Sequence, residues 1–189
     1  MHISPSALPT APRATRNSAG TNQAIVGVTR QIRWLLLVMM LGLGLSGLTA
    51  IPLVGEIAVL RMMIGPGTWM HQQWPAMAVW IETVHQAISA VTRDYPLLRY
   101  GTDWLAFAHI VIAIAFIGPL RDPVRNIWVV EFGLIACVLV VPMALVFGPI
   151  RGIPLFWRII DCSFGLFGFI PLWIARRQIL VLDKLKQHS

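Results

Sequence analysis

The sequence predicts an all-α integral membrane protein: a four-transmembrane-helix bundle with an amphipathic interfacial helix between the first and second helices. Composition is the first observation behind this. Apolar residues make up 57% of the 189-residue chain and charged residues only 12%. A soluble domain carries roughly twice that share of charge, so too few charges remain to cover a water-facing surface. The second observation is four apolar runs, three about 20 residues long and one shorter, a length that crosses a hydrocarbon core of roughly 30 Å. The third is a repeated stop signal. Gly118-Pro119-Leu120-Arg121 and Gly148-Pro149-Ile150-Arg151 each close an apolar run. Glycine would relax the last turn, proline block its continuation and arginine hold the end at the interface.

Taken in order, residues 1–30 are rich in Ser, Thr, Ala and Pro, with Arg13, Arg16 and Arg30 and no acid. The segment reads as a disordered basic tail. Its composition also fits an organelle transit peptide, which leaves an organelle membrane as an alternative location. The membrane domain is expected over 31–178. Span one, 34–55, carries no charge and has a small-residue patch at Gly42, Gly44, Ser46 and Gly47, with Pro52 as a kink. The extracytoplasmic segment 56–102 is broken by Gly65-Pro66-Gly67, Pro75 and Pro96 and is too polar to cross. Within it, 76–93 has helical periodicity: Met77, Trp80, Ile81, Val84, Ile88 and Val91 share one face, Glu82, Gln86, Ser89 and Arg93 the other. With Trp69 and Trp74 nearby, this is the helix expected in the headgroup region, or packed on the ends of the spans. Spans two, three and four are placed at 103–120, 127–147 and 154–175, with a short basic tail at 179–189.

Basic residues orient the chain. With the N-terminus inside, one side holds Arg13, Arg16, Arg30, Arg33, Arg121, Arg125, Arg176, Arg177, Lys184 and Lys186, and the other holds Arg61, Arg93, Arg99, Arg151 and Arg158. Ten against five favours a multi-pass protein of the cell (inner) membrane with both termini cytoplasmic. The same adjacency to apolar runs assigns the net charge of +7 to topology rather than to nucleic-acid binding. Cys137 and Cys162 fall inside spans and show neither zinc-type nor haem-attachment spacing.

Ionisable groups inside spans are costly and mark the candidate sites. Asp103, His109, Arg158 and Asp161 form a candidate polar cluster in the outer leaflet, with Arg158 and Asp161 spaced to pair along one helix. Glu131 falls in the inner leaflet near Arg121 and Arg125 and is expected to pair with Arg125 or a turn amide. His109 and His85 are candidate ligands of a b-type haem. His2, His71 and His188 lie outside the spans. No phosphate loop, metalloprotease His pair or serine elbow occurs, so no catalytic residues and no metal site are assigned and the enzyme question leans to no.

Three functions compete. The first is a non-catalytic subunit, anchor or assembly partner of a larger membrane complex, whose partners are the lipid bilayer and other membrane subunits or further copies of the chain. The second is a redox subunit holding haem b or quinone near the outer face, through His109 with His85, Arg158 and Asp161. The third is a small carrier or membrane enzyme with an outward cavity between spans two and four.

Overall fold

The computed structural model describes residues 13–187, with side chains from residue 20 on. Among the described residues it is all-helical, without strands, and four of its helices are long and apolar enough to cross a membrane: Gly20–Ala50, Pro96–Arg121, Ile127–Ile150 and Leu155–Gln187. In chain order the helices are α1 (Arg13–Ala50), α2 (Leu53–Ile64), α3 (Trp69–Gln73), α4 (Pro75–Asp94), α5 (Pro96–Ala115), α6 (Ile117–Arg121), α7 (Ile127–Ile150) and α8 (Leu155–Gln187). They divide into two compact units. One unit runs from Leu37 to Ile117; the other holds the described residues up to Leu36 and from Gly118 on.

Several boundaries differ from the sequence reading, each for a physical reason. The expected disorder over 1–30 is not what residues 13–30 show, since α1 is helical from Arg13; residues 1–12 lie outside the described residues. No proline occurs between 13 and 51, and Ile25, Val28, Ile32 and Leu36 continue the apolar stripe back from the span. A helix nucleated in the apolar run propagates along such a stripe. Of these, Ile32 and Leu36 are fully buried. At the other end α1 stops at Ala50, short of the expected 55. Pro52 does not kink span one; it precedes a separate helix, α2, its carbonyl accepting from the Glu56 amide at 3.1 Å. Arg99 Nη2 donates to the Ile51 carbonyl at 2.8 Å and caps this junction.

In the 37–117 unit, α4 packs on α2, α3 and α5. Its span of Pro75–Asp94 lies within a residue of the amphipathic 76–93. Ala78 and Ile81 are buried on its inner side, with Ile57 from α2 and Ala106 and Ala113 from α5 completing the core. The prolines that interrupt this stretch of sequence serve as starts: Pro75 and Pro96 open α4 and α5, where a missing N–H costs nothing. Between α2 and α3, Pro66 and Gly67 occupy the centre of a turn closed by Thr68 N–H to the Gly65 carbonyl at 3.2 Å. Gly67, at φ +87°, supplies the left-handed position of a type II turn.

In the other unit, α7 and α8 form an antiparallel hairpin. Near its turn the side chain of Arg158 lies on Gly148; midway, a Cβ on Gly165 would come within 2.6 Å of the Cys137 carbonyl oxygen; at the far end Arg176 meets Glu131. The turn is a Schellman cap. Ile153 N–H donates to the Gly148 carbonyl at 2.9 Å and Gly152 N–H to that of Pro149 at 3.1 Å, with Gly152 at φ +71°. Helix α8 does not end at Arg176-Arg177 but continues to Gln187, with Ile179 and Leu182 fully buried beyond the arginines. The C-terminal tail expected at 179–189 is therefore helical as far as 187, and residues 188–189 lie outside the described residues.

Candidate functional site

The candidate residues fall in both units: Asp103, His109 and His85 in 37–117, and Arg158, Asp161, Glu131, Arg121 and Arg125 in the other.

On α5, Tyr100, Asp103, Trp104 and Phe107 recur at helical spacing and line a shallow concavity of about 220 Å³. Tyr100 and Trp104 meet edge to face at 5.9 Å, as do Trp104 and Phe107 at 5.6 Å. Asp103 thus belongs to an exposed aromatic stripe. His109, further along the same helix, sits where α1 crosses α5. A Cβ on Gly47 would come within 2.8 Å of the Ala106 carbonyl and 3.1 Å of the His109 Cβ. Of the glycines in the expected small-residue patch, Gly47 makes this approach, whereas Gly42 and Gly44 have open space. His109 Nδ1 lies 2.8 Å from the Leu105 carbonyl. A carbonyl only accepts, so Nδ1 must carry the proton, which leaves Nε2 of the neutral ring as the free lone pair. His85 is on α4, which packs on α5.

Where α2 packs on α4, Glu82 accepts from Arg61 Nε and, through its other oxygen, from Gln86 Nε2 at 3.0 Å. The Arg61 guanidinium first, then the Gln86 amide, hold the Glu82 carboxyl below the ordinary carboxylate range. The pair ties α2 to α4.

On α8, Arg158 and Asp161 do not form the ion pair that their spacing allows; among the described residues no ion pair involves either. The Cγ and Cδ of Arg158 fill the space that a Cβ on Gly148 would need, and its Nε is buried without an acceptor. Glu131 also differs from expectation. Its partner is Arg176, at 2.9 Å, and not Arg125. Antiparallel packing of α7 on α8 brings the far ends of the hairpin together, and there Glu131 meets Arg176 rather than the nearby Arg125 on the incoming loop. Arg177 lies 5.7 Å over Trp173, which stacks on Phe169.

Arg121 and Arg125 flank a loop that satisfies itself. The Arg125 amide donates to Asp122 Oδ1 at 3.2 Å, and Asn126 Nδ2 donates to the carbonyls of Gly118 and Asp122 at 3.2 and 2.9 Å. Pro119 and Pro123 are buried beside it. The run Arg121-Asp122-Pro123-Val124-Arg125-Asn126 is therefore a structural device. It also changes the meaning of the repeated motif. Neither proline stops its helix: Pro119 lies inside α6 and Pro149 inside α7. The shared part is a glycine carbonyl capped by a downstream donor, the Asn126 amide in one copy and Ile153 N–H in the other.

Arg176, Gly148 and Arg99 carry contacts that sequence reading did not assign. Counting outward from the turn at 151–154 puts Glu131 level with Ile174, which reaches the right turn of α8 but not Arg176 itself. Nothing local signals the Gly148–Arg158 contact or the Arg99 cap. Comparison with known proteins gives no assignment: no family model, curated protein or solved structure matches the chain.

Proposed function

We propose that the chain is an integral membrane protein crossing the bilayer four times, with α2–α4 at the outer interface and both termini cytoplasmic. It serves as a non-catalytic subunit or assembly partner of a larger membrane complex. The observation that carries the partner reading is the outer face of α7. Phe132, Ile135, Leu139, Met143, Val146 and Ile150 are all exposed, 48% to 67%. They recur at three- and four-residue steps along the whole helix, the spacing of a helix–helix seam. The opposite face is used by α8, where Val129, Val130, Gly133 and Leu134 are buried. Lipid covers the remaining apolar surface. A photo-crosslinking residue at Leu139 should yield adducts with other membrane polypeptides or a second copy of the chain. Adducts to lipid alone, with a monomer after gentle solubilisation, would contradict the reading.

One observation favours a second reading, a b-type haem in the 37–117 unit: the tautomer imposed on His109 leaves Nε2 ready to ligate, with His85 on the adjacent helix as the second ligand. An absorption spectrum decides it. A stoichiometric Soret band lost on His109→Ala supports haem; no band after expression with adequate haem removes it.

A further inference from the structure

The turn end of the α7–α8 hairpin carries two arginines outside any ion pair among the described residues: Arg151 in the turn and Arg158 one turn into α8. Arg158 is not an ordinary solvated charge. Its stem lies in the space left by the absent Cβ of Gly148, and its Nε edge is sealed without an acceptor. Its Nη groups are not sealed in this way. Asp161, a turn further along the helix, does not neutralise it. A guanidinium held at the edge of a bilayer without a counter-charge is costly, so an acceptor from outside the chain is called for. The guanidinium end is a planar fork suited to phosphate. Three residues into α8 places it about 5 Å from the helix start, the level of lipid phosphates if α8 spans.

We propose that Arg158, assisted by Arg151, binds the phosphate of an anionic lipid head group at the turn end of the α7–α8 hairpin, and that glycine at 148 is required to seat it. The site rests on the membrane reading above, and its test separates the two. The purified full chain is titrated in detergent with phosphatidylglycerol and with phosphatidylcholine, and bound lipid is read by native mass spectrometry. Arg158→Met keeps an unbranched stem over Gly148 while removing the fork. Phosphatidylglycerol should bind about tenfold more weakly to Arg158→Met, with the thermal midpoint held. Arg93→Gln, which alters an exposed arginine bonded to Asp94, should bind as the parent does. Equal binding by Arg158→Met and parent overturns the site, as does complete displacement of lipid by millimolar inorganic phosphate, which would make free phosphate the ligand. Release of the chain from membranes by alkaline carbonate overturns the membrane reading instead.

Discussion

Three glycines in long helices face three different environments, and that difference is measurable. Gly165 lies against a backbone carbonyl, with an added Cβ only 2.6 Å from the Cys137 oxygen. Neither helix can yield without moving its axis, so Gly165→Ala should cost about 1–3 kcal/mol in detergent thermal denaturation. Gly148 lies against a flexible side chain, so Gly148→Ala should cost less, at the expense of Arg158's position. Gly42 meets nothing within 4 Å, and Gly42→Ala should be neutral or slightly stabilising. A reversed order would mean that the α7–α8 register is wrong. At this scale the sequence was partly legible. Small residues in spans signal close packing, but which one makes the contact depends on the partner helix, as Gly47 against Gly42 shows.

Among elements, α4 was the most legible because its periodicity, its opening proline and its polar face all agree. Helix α2 was invisible because Pro52 sits in an apolar run and reads as a kink; the Arg99 cap on Ile51 and the Glu56 amide on the Pro52 carbonyl mark where the chain restarts. The α2–α4 contact carries a pH dependence. Glu82 has its folded pKa lowered by Arg61, so its contribution is present at neutral pH and is lost as pH falls through the folded value. Between neutral pH and pH below the carboxylate range, the thermal midpoint of the parent should fall further than that of Glu82→Gln. Equal falls would show that the pair adds nothing to the packing. In the hairpin, a double-mutant cycle on Glu131→Gln and Arg176→Gln should give a coupling of about 0.5–1 kcal/mol, since both side chains are partly exposed, 42% and 32%. Additive losses would show the two groups to be independent.

For the whole molecule, composition and run length were enough to foresee four membrane-length helices, since the hydrocarbon thickness sets both. The division into two units was not foreseen, because its boundaries fall within α1 after Leu36 and at the start of α6 after Ile117, where no composition shift marks them. Depth along a span singles out costly polar groups but cannot pair them: Asp103 proved part of an aromatic stripe and Glu131 chose Arg176. The central claim is the topology, four crossings with the α2–α4 segment on one side and both chain ends on the other. With Cys137 and Cys162 replaced by alanine, single cysteines at Gln72 and at Gln187 can be tested in sealed vesicles of known orientation with a membrane-impermeant thiol reagent. The cysteine at 72 should be labelled from the extracytoplasmic side and the one at 187 only from the cytoplasmic side. Labelling of both from the same side would contradict the topology.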